Sequence, residues 1–267
     1  MGKYGICRVE KYTAGDVTGI QKHDRREAIE SKSNPDIDYK RTYLNYDLSK
    51  QDNSESFRKK VKNIINRLNL KRKLRNDANV MCQLMCTASP EFFEGKSPEE
   101  IREYFVECYN FLSKKYGKDN IVSAIVHMDE KTPHMHFNFV PVTKDKRVSS
   151  RDLFSPTSLT ELQTQMHLEV FSKYGLDRGE TKKDKRRHYT TQVYKAITIQ
   201  KEIGEKTRIL ATLSNEQVFE MRKHIDALSC RLDEMMNIIL SNEELKREYL
   251  KARDLYYAEK KKEEREI

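Results

Sequence analysis

Apolar residues recur along this chain with two different periods. Between Ser54 and Asn69 they return at helical spacing as Phe57, Val61, Ile64, Ile65 and Leu68, which predicts an amphipathic helix. The runs Tyr4 to Val9, Val80 to Thr87, Ile121 to Val126 and His136 to Val142 are short, apolar and β-prone, and read as strands. The last two are joined by the turn-like Asp129-Glu130-Lys131-Thr132-Pro133, which predicts a hairpin. Ser97, Pro98 and Glu100 supply an N-cap, a first-turn proline and a capping acid for a helix through Tyr116 that Gly117 ends. Ser158 and Glu161 read as a second capping box, for a helix to Tyr174. A polar stretch around His23 is compatible with a short helix, and Asp36 to Leu48 is irregular, with Tyr39, Tyr43 and Tyr46 as its aromatic content.

Beyond a charged loop from Asp177 to His188 the chain turns helical. Val218, Met221, Ile225, Leu228, Leu232, Met235 and Ile239 alternate spacings of three and four, a heptad seam suited to packing or to a homodimer. Capping pairs Ser214/Gln217 and Ser241/Glu244 divide this tail into successive helices. The pattern predicts an α+β domain over residues 1–190 and a helical, coiled-coil-like extension over residues 191–267.

Charge changes this picture from a fold to a partner. Lysine and arginine number 51 against 42 acids, a net charge of +9 that favours a polyanion. Nine of these cations, among them Lys71, Arg72 and Arg75, fall between Phe57 and Asn76 with no acid. A second basic block comprises Lys182, Lys183, Lys185, Arg186 and Arg187. A charge run is ordinarily a solvated face, and two such runs make nucleic acid the leading candidate. Five cysteines, with Cys82 and Cys86 inside an apolar run, read as reduced core thiols. With neither a signal-peptide core nor 18 consecutive apolar residues, the expectation is a cytoplasmic protein without a membrane span.

The chemistry is concentrated in His127-Met128-Asp129-Glu130-Lys131-Thr132-Pro133-His134-Met135-His136, which holds three of the chain's seven histidines. On a strand His134 and His136 share one face, while Met135, Phe137 and Phe139 point to the other. If position 127 lies opposite 134, the three imidazoles converge on a metal site with open positions, and an open site implies catalysis. A helical zinc-protease site is excluded by Pro133 and its strand-like flanks. The basic clusters then point to phosphodiesters.

This His-x-Asp-Glu-x-x-Pro-His-x-His block closely resembles the metal-binding motif of the Mob/Pre plasmid mobilisation and recombination family, the MOBV class of HUH relaxases. Tyr4-Gly5-Ile6-Cys7-Arg8, Gln21-Lys22-His23 through Arg26-Glu27, and Asn45-Tyr46-Asp47-Leu48 resemble the family's opening motifs in order. The resemblance spans roughly residues 1 to 190. It implies an antiparallel sheet flanked by helices in the two-layer HUH arrangement, and Mn²⁺ or Mg²⁺ held by His127, His134 and His136. It further implies nicking of one DNA strand at an origin of transfer, single- and double-stranded DNA as substrate, and a conjugation coupling protein as a partner. The family's histidine nucleophile falls on His23, which would form a covalent phosphohistidine and later rejoin the strand. Glu130 matches the motif acid and Arg26 is placed to neutralise phosphate charge. Arg72 and Arg75 match arginines expected on DNA, with Lys71 beside them, and Tyr46 is a further DNA-binding candidate and the rival nucleophile.

Two other readings fit parts of the sequence. A rolling-circle initiator or transposase of the same fold would use a tyrosine after the histidine motif, such as Tyr174 or Tyr194, whereas His23 and Tyr46 precede it. A non-catalytic DNA-binding coiled-coil protein would leave the histidine block without a purpose.

Overall fold

The hairpin predicted around the Asp129–Pro133 turn lies inside a six-stranded sheet. The computed structural model describes residues 3–27, 37–50, 52–179, 191–210 and 215–263. Its contacts divide the chain into two units, Met1–Thr181 and Lys182–Ile267.

The first unit opens with β1 (Tyr4–Thr13) and α1 (Val17–Asp24), followed by a 3₁₀ turn (Tyr39–Leu44), β2 (Tyr46–Asp47) and α2 (Phe57–Arg67). Then come β3 (Asn79–Ala88), the short α3 (Pro90–Phe93), α4 (Pro98–Tyr116), β4 (Ile121–His127) and β5 (His134–Phe139). The unit closes with α5 (Ser150–Leu153), α6 (Pro156–Glu169), a second 3₁₀ turn (Phe171–Tyr174) and β6 (Asp177–Arg178). The strand order is β2-β4-β5-β3-β1-β6. Every pairing is antiparallel except β1 with β6, so the sheet is mixed at one edge.

Strand alternation gives the sheet two unlike faces. One carries Cys7, Leu84, Cys86, Ala124, Val126, Met135, Phe137 and Phe139, buried with Tyr104, Phe105, Cys108 and Leu112 of α4 and Leu162 and Met166 of α6. The other packs Met81, Val122 and Ile125 against Val17 of α1 and Phe57, Val61 and Ile64 of α2. Helices therefore lie on both faces, and the expected two-layer arrangement gains a partial third layer. In β4 the register shifts between Ile121 and Ser123, so that Ser123 lies opposite Asn138. Gly5 of β1 is required by packing, because a Cβ there would overlap the Phe171 ring.

Helix α4 has the predicted bounds and capping box, with Ser97 Oγ accepting from Glu100 N at 3.2 Å and Ser97 N donating to Glu100 Oε2 at 2.8 Å. Helix α6 corrects an expectation. Its cap is Ser155, whose hydroxyl accepts from Ser158 N, and it ends at Glu169 rather than Tyr174. Proline favours the first helical position, so Pro156 marks the true start. The free cysteines Cys7, Cys82, Cys86 and Cys108 are buried and Cys230 is exposed.

The second unit holds α7 (Thr191–Ile209), α8 (Asn215–Leu240) and α9 (Glu243–Glu263), the successive helices the tail pattern predicts. Its core joins Val193, Ala196, Ile197 and Ile199 of α7 to Met235 and Ile239 of α8 and Tyr249 and Ala252 of α9, with Leu228 and Leu232 packed against it. The C-terminal half of the heptad seam is thus spent within the chain. Asn242, not Ser241, caps α9, its Oδ1 accepting from the backbone N–H groups of Glu244 and Leu245. Ser214 and the block from Lys182 to Arg187 lie outside the described residues. Among the described residues no helix is long and apolar enough to cross a membrane.

Candidate metal centre

The β4–β5 register sets His127 directly opposite His134. His136, two residues on, shares their face, and the ring centroids lie 5.1 Å (127–134), 4.7 Å (127–136) and 4.8 Å (134–136) apart. The intervening side chains Met135 and Phe137 are fully buried in the opposite core, so the strand cannot rotate without exposing them.

Hydrogen bonds to backbone fix the tautomers of two rings. His127 Nε2–H donates to the Asp24 carbonyl at 2.8 Å, and His134 Nδ1–H donates to the Thr132 carbonyl at 2.9 Å. Their remaining nitrogens then turn lone pairs toward each other across 3.3 Å. A proton between them is disfavoured, because burial first and the neighbouring His134 second hold the His127 imidazole far below its ordinary pKa. Both ring nitrogens of His136 are buried and, among the described residues, have no hydrogen-bond partner; burial likewise keeps the ring neutral. Orphaned buried polar atoms of this kind cost stability unless something ligates them. Imidazole–cation bonds of about 2.1 Å place neighbouring ligand nitrogens roughly 3 Å apart, close to the spacing of this pair. The cluster therefore offers donors that fit a divalent cation, with His127 common to both sets of residues whose ligand atoms lie within 4.8 Å of one another.

Two acids that adjoin in sequence occupy different environments. Glu130 Oε1 faces the cluster, 3.8 Å from both His127 Nδ1 and His134 Nε2. Asp129 is fully buried and accepts from Arg26 Nε (3.0 Å), Arg26 Nη2 (2.9 Å), Thr42 Oγ1 (2.9 Å) and Asn45 Nδ2 (2.8 Å). Burial alone would raise its pKa, but these donors, Arg26 foremost, hold it below the usual carboxylate range. Arg26 also donates to Glu130 Oε1 at 2.7 Å and to the His23 carbonyl at 3.1 Å. Its backbone follows the end of α1 with φ of +54°, an uncommon conformation that these contacts hold in place. The Arg26 side chain is only 3% exposed and ties the end of α1 to both acids.

Sequence reasoning missed Asp129 and Asp24. Asp24, the last residue of α1, is buried under the histidines, where Asn138 Nδ2 (2.6 Å) and Gln83 Nε2 (3.2 Å) donate to its carboxylate. Its Oδ1 is 3.9 Å from His136 Nδ1, and burial pushes its pKa up to about 8. The available signal was polar Gln83 and Asn138 within otherwise apolar strands.

The remaining site candidates separate. His23 joins the cluster, with its ring 5.5 Å from that of His127 and 5.4 Å from that of His136, and burial lowers its pKa. Atoms of His23, His127 and His136 are close enough to share an ion, as are those of His127, Glu130 and His134. Tyr46 lies elsewhere: it pairs with Val126, packs against the opposite core under the Arg102 guanidinium (4.5 Å), and among the described residues its buried hydroxyl has no partner. That corrects its candidacy for DNA contact and nucleophilic attack, since a residue opposite Val126 points away from the histidines. Tyr174 packs in that same core against Phe92 and Tyr104. Arg72 and Arg75 belong to the loop leading into β3 and line a groove of about 970 Å³ with Lys71, Lys146, Arg147 and Arg151. The loop joins β3 at Asn79, six residues from the Met85 that pairs with His136, which is about 20 Å along a strand. Arg75 is also engaged by Asp77.

Residues 1–196 match the family of plasmid recombination enzymes, Mob/Pre. A plasmid recombination enzyme of Bacillus thuringiensis is 40% identical over 196 residues, covering 73% of this chain and 43% of the relative. A type 3 plasmid recombination enzyme of Staphylococcus aureus is 40% identical over 183 residues, covering 67% and 44%. The chain thus spans less than half the length of these relatives. Among solved structures, the MobM relaxase domain bound to plasmid pMV158 oriT DNA with a 3′-thiophosphate, in a Mn-bound crystal, is 34% identical at a TM-score of 0.67 and covers 73% of this chain and 98% of that one. A second Mn-bound crystal of that domain with a 22-nucleotide oriT DNA gives 33% identity and a TM-score of 0.66. In sequence and in fold, the chain belongs to the Mob/Pre family of plasmid recombination enzymes.

Proposed function

We propose that this chain is a metal-dependent DNA relaxase that nicks one strand at an origin of transfer in the cytoplasm and stays joined to it through His23. The carrying observation is the position of His23: a neutral imidazole at the edge of the three-histidine cluster, fixed through the α1 backbone to Arg26 and so to Glu130.

His127, His134 and His136 would hold the cation, and three imidazoles suit Mn²⁺ better than the harder, oxygen-seeking Mg²⁺. When bound, it supplies charge that polarises a nonbridging phosphate oxygen. The unprotonated His23 nitrogen attacks phosphorus and forms a P–N bond while the P–O3′ bond breaks. The 3′-oxygen leaves with the electron pair and takes a proton from solvent. Attack by a 3′-hydroxyl on the same phosphorus reverses these steps and rejoins the strand. Glu130, oriented by Arg26, limits rotation of the His127 and His134 rings, and the Asp24 backbone carbonyl orients His127 from below. Lys71, Arg72 and Arg75 contact DNA away from the cut. The MobM domain bound to oriT DNA supports the substrate class, and a coupling protein and a homodimer through the C-terminal helices complete the partners proposed for this chain.

The test is incubation of the protein and Mn²⁺ with a supercoiled plasmid carrying its element's origin. The expected product is a nicked circle linked to protein, and undiminished nicking in EDTA would overturn the metal assignment.

A further inference from the structure

Tyr43 is the most exposed large hydrophobic side chain among the described residues, 81% open to solvent, although the segment that carries it is firmly held. It lies in the 3₁₀ turn between Thr42 and Asn45, both of which donate to the buried Asp129 carboxylate. Asp38 N donates to the Asp129 carbonyl at 2.8 Å, and Met128 N donates to Asn45 Oδ1 at 2.7 Å. Four hydrogen bonds thus tie the turn to residues 128 and 129, immediately after His127, and the same Asp129 binds Arg26. The turn is registered on the metal centre while its aromatic ring is left to water.

Charge beside the ring selects the occupant. Lys40 and Arg41 of the same turn are exposed, and among the described residues no ion pair engages them. One acid, Asp38, is spent on the Lys40 backbone N–H. A rigid aromatic face among unpaired cations suits a ligand with both phosphates and open π-faces, which single-stranded DNA has and duplex DNA hides.

We infer that Tyr43 is a stacking platform for an unpaired base next to the scissile phosphate, with Lys40 and Arg41 tracking the adjoining backbone. The inference rests on the relaxase reading and adds a subsite to it. Stacking on the ring would fix where the strand lies relative to His23, making Tyr43 a positioning residue that forms no bond to the reacting phosphate.

The test places 2-aminopurine at successive positions of a 22-nucleotide single strand spanning the nick site, with His23→Ala as background to prevent cleavage. One position beside the nick should be quenched by the protein. In Tyr43→Ala that quench should vanish and single-strand affinity should fall about 5- to 100-fold, with the log-log salt slope and melting temperature unchanged. Tyr43→Phe and Tyr43→Trp should retain both quench and affinity, and affinity for the fully paired duplex should hardly move. An unchanged quench, unchanged single-strand affinity, or an equal loss on duplex would overturn the platform. The nicking assay on otherwise native protein separates this failure from that of the relaxase reading, because it does not depend on where bases stack.

Discussion

Strand β5 presents two surfaces that follow different rules. Met135, Phe137 and Phe139 enter a dry core of aromatic and aliphatic side chains whose only demand is volume. His134, His136 and Asn138 enter a polar environment in which Asn138 is fully hydrogen-bonded but, among the described residues, the two nitrogens of His136 have no partner. The first face fixes the register, and the second uses it. A buried, partnerless imidazole beside two inward-facing lone pairs is a cost to folding that a bound cation removes, so stability and function should separate between the faces.

The largest expected effect is on His136→Ala. Cation-dependent nicking should fall to background, while melting in EDTA stays the same or rises because an orphaned ring is gone, and the stabilisation that Mn²⁺ gives the native protein should disappear. Phe137→Ala should do the reverse, costing about 3–5 kcal/mol in urea unfolding while the folded fraction still binds Mn²⁺. Equal stability losses at the two positions would erase the distinction between the faces.

Acidity sharpens the contrast further. In the metal-free protein His127, His136 and His23 have depressed pKa values, so the stability this confers is present above about 6.5 and is lost as pH falls below it, by up to about 1.4 kcal/mol per pH unit for each ring. Asp24, raised to about 8, acts in the opposite sense: its contribution is full below the ordinary carboxylate range and is lost as pH rises through 8. Unfolding in EDTA should therefore show greatest stability near pH 6.5. Asp24→Asn should remove the decline on the alkaline side and weaken Mn²⁺ binding about 10- to 100-fold. A flat profile from pH 5 to 8 would mean that these groups are not held as described.

The smallest effect belongs to the basic loop. Arg72→Glu should lower the log-log salt slope of DNA binding by about 0.7 to 0.9 for each phosphate that the side chain no longer neutralises, without altering the metal response. Arg75→Glu should show less, because Asp77 already engages that guanidinium. An unchanged slope in both would assign the loop to solvent.

Local rules made much of this legible. The hairpin and its register could be read because strand alternation had to bury Met135, Phe137 and Phe139, and α4 because its cap and its terminal glycine both lie in the chain. What escaped depended on distant partners. That Asp129 turns inward and Glu130 toward the histidines is decided by Arg26, Thr42 and Asn45, more than 80 residues upstream. Asp24 looked like one more charge in a charged segment until α1 laid it against Gln83 and Asn138. Arg26 read as an open cation, and its pairing with Asp129 and Glu130 joins residues 103 and 104 positions apart. Tyr46 kept company with polar neighbours in sequence, yet its two-residue strand pairs with β4 in the register that turns it into the aromatic core.

The central claim is that the face holding the three histidines also holds the nucleophile, and that the nucleophile is His23. Its most direct measurement is the chemistry of the protein–DNA adduct trapped with Mn²⁺. Phosphohistidine is labile in acid and stable in alkali, so brief acid treatment should release the DNA, His23→Ala should bind the strand without forming an adduct, and Tyr46→Phe should form it normally. An acid-stable adduct that persists in His23→Ala and disappears in Tyr46→Phe would contradict the account.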